Sequence, residues 1–171
     1  MGIRDKYRDK YRVKIGFVPT RRETFSETAF RLDKAAETKK KVEERLTAMQ
    51  VDYVNIDFLN EEGLLYRSRD AEKVAEYLNQ QKVDAIFIAH VNFGCEEAVA
   101  RLASMVRKPV LLWAVRDDAP EPEGYRFRDA QCGVFASSKV LSRFDIPFTY
   151  LTNCYTEDVK FENGIRNFLA A

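Results

Sequence analysis

The sequence predicts an α/β fold, a parallel sheet with helices on both faces, from three of its features. Five apolar, strand-like segments alternate with five helical ones. The clearer helical segments carry their apolar residues on one face. The segment Ala85-Ile86-Phe87-Ile88-Ala89 reads as a buried strand that stops at the only histidine, His90, before a polar loop and a helix start.

Strands are expected at about 13–18, 53–57, 84–89, 109–114 and 147–151. The first helix runs from Ser26, an N-cap residue, to about Met49. The second covers about 69–81, with Ala71, Val74, Ala75 and Leu78 on one face, and the third about 96–106, with Val99, Leu102, Ala103 and Val106. The fourth occupies about 130–143 and the last about 158–169. Right-handed crossovers between parallel strands favour a doubly wound, flavodoxin-like sheet of order 2-1-3-4-5. The long connections are Phe58–Arg67 and Val115–Asp129, the latter a polar, Pro-rich loop. Residues 1–12 form a charged arm holding the tandem Arg-Asp-Lys-Tyr of residues 4–11, and 13–171 form one domain.

With 28 Lys and Arg against 27 Asp and Glu, the net charge is +1, which gives no field for nucleic acid or an anionic membrane. No apolar run approaches the roughly 20 residues of a membrane span, and no signal core follows the N-terminus, so a cytoplasmic protein is expected. Cys95, Cys132 and Cys154 lack Cys-x-x-Cys spacing, which argues against a disulfide framework or a structural zinc. Cys95 stands at a helix start, a position that lowers thiol pKa, and His90 is the only imidazole available as its base.

In this strand order ligands bind at the carboxyl ends of the strands, where the order reverses between the first and third. The flanking loops are Pro19-Thr20-Arg21-Arg22-Glu23 and His90-Val91-Asn92-Phe93-Gly94. Two guanidinium groups, an imidazole, a carboxamide and a helix start suit a polyhydroxylated or anionic small molecule. Each residue singly also has a structural reading, solvated arginines and a capping histidine, and it is the cluster that favours binding. Arg116 and Asp117, at the end of the fourth strand, suit an ion pair, a substrate contact or a domain contact equally. Trp113 reads as core, and Glu96 and Glu97 as complements to the helix dipole. Gly133, in the first turn of the fourth helix, permits a close backbone approach. No glycine-rich phosphate or dinucleotide loop exists, and no flavin is expected.

Several strings, taken together and in order, resemble the N-terminal region of the L-fucose isomerase-like family. They are Gly16-Phe17-Val18-Pro19-Thr20-Arg21-Arg22, Ile56-Asp57 with Asn60-Glu61-Glu62-Gly63-Leu64-Leu65, and Asn92-Phe93-Gly94-Cys95-Glu96-Glu97-Ala98-Val99. Lys108-Pro109-Val110-Leu111-Leu112-Trp113, Arg116-Asp117, Asp129-Ala130-Gln131-Cys132-Gly133 and Pro147-Phe148-Thr149-Tyr150 continue the series. The likeness implies one domain of an aldose–ketose isomerase of carbohydrate metabolism, whose divalent metal, manganese or similar, is held by later domains. It implies no metal site, no cofactor and no catalytic residue in this chain, which is expected to be inactive alone.

The resemblance nominates Arg21, Arg22, His90, Asn92 and Phe93 as pocket-wall and substrate contacts, and Arg116 and Asp117 join them as candidates. The expected partners are a sugar and the remaining domains of a parent chain or neighbouring subunits, in an oligomer. Two competing readings are a free-standing module binding a sugar or another small polar ligand, and a small enzyme using His90 with Cys95 or Asp117.

Overall fold

The computed structural model describes residues 12–23, 32–120, 122 and 126–171. Five parallel strands form one sheet in the order β2-β1-β3-β4-β5. They are β1 (Lys14–Thr20), β2 (Asp52–Val54), β3 (Ala85–His90), β4 (Val110–Ala114) and β5 (Thr149–Tyr150). The helices described are α1 (Leu32–Ala48), α2 (Ala71–Gln80), α3 (Glu96–Val106), α4 (Ala130–Arg143) and α5 (Val159–Ala170). The expected doubly wound order is therefore present, with α3 and α4 on the bounds that their periodicity predicts. The expected helix start at Ser26 and the tandem of residues 4–11 lie outside the described residues.

Strands β1, β3 and β4 are buried nearly end to end, as a sheet covered on both faces requires. On one face Gly16 of β1 lets Leu78 of α2 settle against the strand, and α2, α3 and α4 pack side by side. On the other face Phe87 and Trp113 meet Phe161 of α5, and Arg45 of α1 bonds Glu162 of α5 at 2.8 Å. Trp113 is fully buried, with its ring edge-on to Phe161 at 4.9 Å, so it is core as its apolar strand predicts.

Two strands are shorter than expected. β5 keeps only Thr149 and Tyr150, both exposed, because it lies at the sheet edge and pairs with β4 alone. β2 stops at Val54, and the chain instead returns through Leu65, which bridges to Thr20 at the end of β1. Among the described residues no helix is long and apolar enough to cross a membrane.

Candidate functional site

Thr20 and His90 are register partners at the carboxyl ends of β1 and β3. The Thr20 hydroxyl donates to the Leu65 carbonyl at 2.7 Å and accepts the Cys95 N–H at 3.2 Å. One buried hydroxyl thus pins the segments after β2 and β3 to the end of β1. Gly94, at φ +84°, passes so close to His90 that a Cβ there would lie 2.4 Å from Nδ1.

His90 is completely buried, and burial pushes its pKa down to about 4. The imidazole is then neutral near pH 7. Its Nδ1 lies 2.9 Å from the Phe93 carbonyl, which can only accept, so Nδ1 carries the proton and donates. Nε2 is left as a buried lone pair with no partner among the described residues. Asn92 is equally buried. Its carboxamide oxygen accepts the Phe93 N–H at 2.7 Å and the Arg22 N–H at 3.4 Å, while its NH2 donates to Phe127 at 3.5 Å. His90 and Asn92 therefore brace three loops from beneath.

Arg21 is buried against Glu62, with Nε and Nη2 donating to one carboxylate oxygen at 3.0 and 2.6 Å. Its third contact is the Arg22 carbonyl at 2.7 Å, and the guanidinium lies 3.7 Å from the Tyr66 ring centroid. Arg22 is half-buried, pairs with Glu96 at 2.8 Å and sits 5.0 Å from the Phe93 ring. Beside it opens a cleft of about 420 Å³ at the carboxyl edge of the sheet. Its walls are Arg22 and Glu23 after β1, Tyr66 to Arg69 before α2, and Cys95 to Glu97 at the start of α3.

Arg116 and Asp117 do not reach this cleft. Asp117 accepts the Ala130 and Gln131 N–H groups at 2.9 and 3.1 Å, so its carboxylate caps α4. Arg116 is exposed, 5.7 Å from the Tyr155 ring. A separate hollow of about 260 Å³ lies here, lined by Asp117, Asp118, Arg126 and Arg128 among others. Of the seven candidates Arg22 alone lines the first hollow and Asp117 alone the second, and the other five line neither.

The residues that sequence reasoning missed are Tyr66, Arg67, Ser68 and Arg69. The available signal was the polar run Arg67-Ser68-Arg69-Asp70 that follows Leu64-Leu65-Tyr66. Its place beside β1 became visible only through the Thr20–Leu65 bridge.

The Cys95 thiol is not activated. Burial pushes its pKa above the usual value and outweighs its place at a helix start, and the only imidazole is committed to Phe93. Among the described residues no three or more His, Cys, Asp or Glu side chains are grouped to hold a metal. Of the carboxylates that line the cleft, Glu23 is held by Arg67 and Glu96 by Arg22, which leaves Glu97, and Glu62 beneath them is held by Arg21. These residues do not fit a divalent metal.

No curated protein matches the chain. A family model described as the fucose/sulfoquinovose isomerase N-terminal domain matches residues 16–171, from inside β1 through α5. That span includes both concavities and every residue of the brace, and the chain belongs to this family of isomerase N-terminal domains.

Proposed function

We propose that this domain supplies one wall of the sugar pocket of an aldose–ketose isomerase and carries a contact to a neighbouring subunit. The observation that supports the reading is the cleft at the β1/β3 crossover, in a chain of this family. Guanidinium forks of Arg22, Arg67 and Arg69 alternate there with the Ser68 hydroxyl and the carboxylates of Glu23, Glu96 and Glu97. Three cations face three anions, a balance that suits the hydroxyls of a sugar better than a polyanion.

Moving a proton between neighbouring sugar carbons requires an acid/base pair, and a metal polarises the oxygens when one is bound. The residues described here bind and orient. His90 is sealed under the loops, and the carboxylates of Glu96 and Asp117 are each tied to a structural partner. Catalytic proton transfer is assigned to groups outside this domain.

The test is titration of the 171-residue chain with L-fucose and with sulfoquinovose, followed by amide NMR. Shifts gathered at Arg22, Tyr66–Arg69 and Cys95–Glu97, and lost in Arg69→Ala, are expected. Shifts confined to other surfaces, or none, would overturn the reading. Sugar conversion by this chain with manganese present would overturn the wall-only role.

A further inference from the structure

A further concavity lies away from the cleft at the carboxyl edge of the sheet. It is a groove of about 1060 Å³ running the length of α3. Its floor includes Ala100, Ala103, Val110 and Val140, and its far wall is the segment from Phe144 to Thr149 that leads into β5. Phe144 stands on this wall with 67% of its surface exposed, and Met105 lies exposed on α3. A hollow and an apolar knob therefore share one face.

The charges on the rim are balanced in number, and along α3 acid and base stand at opposite ends. Glu96 and Glu97 stand at the N-terminal end of α3, and Arg107 and Lys108 follow its C-terminal end, with Arg101 between them and Asp145 opposite. Among the described residues Glu97, Arg101, Arg107, Lys108 and Asp145 have no ion-pair partner, whereas Glu96 is held by Arg22. Small residues, Ala100, Ala103 and Ser104, occupy the middle of the stripe and permit close helix approach.

A surface with acid at one end, base at the other and small residues between is complementary to itself turned end for end. That is the requirement of an isologous two-fold interface. From it we infer that the α3 groove docks a second copy of this chain, with the two α3 helices antiparallel. Glu97 of each copy then meets Lys108 or Arg107 of the other, and Phe144 of each enters the opposite groove. Antiparallel pairing also sets each helix dipole against its opposite. Glu97 lines both the groove and the sugar cleft, so the second copy brings its basic residues to the rim of that cleft. This inference rests on the subunit-contact half of the proposed function and not on sugar binding, which the titration above reads separately.

The experiment is sedimentation equilibrium of the 171-residue chain and four variants. The wild type is expected to form a dimer with a dissociation constant on the order of micromolar. Glu97→Lys and Lys108→Glu, each placing like charges together across the two-fold axis, are expected to weaken it about tenfold or more. The double variant Glu97→Lys/Lys108→Glu is expected to restore it. Glu97 stands in the first turn of α3 and Lys108 lies beyond its last, about three helical turns away, so the rescue can only act between copies. Phe144→Glu, at an exposed side chain, is expected to weaken the dimer without lowering the melting temperature. A chain that stays monomeric to near-millimolar concentration would overturn the inference. A dimer indifferent to the single charge reversals would overturn it as well, and so would a double variant as weak as the singles.

Discussion

His90 and Gly133 make the sharpest claims about single residues. An unfolded histidine takes up a proton near its ordinary pKa of 6.5, whereas buried His90 does so only near 4. As pH falls below 6.5 the unfolded state gains a proton that the folded state refuses. Stability is therefore full above 6.5 and declines toward 4, by about 3 kcal/mol in all. Urea unfolding of wild type and His90→Gln across that range is expected to show this pH-dependent loss in the wild type and its absence in the variant. Gly133 concerns space rather than charge: a Cβ there would lie 1.5 Å from the Phe93 carbonyl oxygen. Glycine to alanine inside a helix ordinarily stabilises by about 1 kcal/mol. Here Gly133→Ala is expected to destabilise by roughly 3 kcal/mol, a reversal of sign that chemical denaturation reads directly. That Gly133 permits a close approach was legible in the sequence, but the object approached was not, because Phe93 is 40 positions away in the chain.

At the scale of elements, the helix ends carry a pattern with no glycine signature. Residues past the ends of α1, α2, α3 and α4 adopt left-handed backbone at Gln50, Lys82, Arg107 and Asp145, with φ between 52° and 57°. Three of these ends close in the same way: Val51 N–H bonds the Leu46 carbonyl, Val83 that of Leu78 and Ile146 that of Leu141. Each is a Schellman motif with an apolar residue on both sides of the reverse bond. Lys82→Gly is therefore expected to stabilise the chain by about 1 kcal/mol, measured as a raised urea midpoint, by relieving the left-handed strain of a side-chain-bearing residue. The start of α4 depends on a residue distant in sequence. Asp117→Ala removes the acceptor of two N–H groups and is expected to cost about 1 kcal/mol in the same measurement. Periodicity located these helices, but a cap borrowed from another loop leaves no local trace in the sequence.

For the whole molecule, topology was the most legible property. Alternation and handedness sufficed for the order 2-1-3-4-5, since they admit few other arrangements. The candidate site was legible only in outline. A cleft opens beside the crossover between β1 and β3, but four of its nine lining residues are Tyr66 to Arg69, brought there through the bridge between Thr20 and Leu65. Side-chain types at a loop also do not reveal which groups are already engaged. Arg21 reads as a free guanidinium in the sequence, yet it is locked on Glu62 and Tyr66. Arg21→Met is expected to lower stability by about 2 kcal/mol in thermal or urea unfolding, less than for a fully buried pair because Glu62 keeps some access to water.

The seat of the Phe93 carbonyl on Gly133 has a consequence for descent within the family. Loop and helix are keyed to one another by a hydrogen atom, so neither is free to drift alone. A relative with any side chain at the position of Gly133 must route the segment after its third strand differently, and with it the lip of the cleft. That single position is therefore a marker by which relatives sharing this loop path can be sorted from those that have rebuilt it.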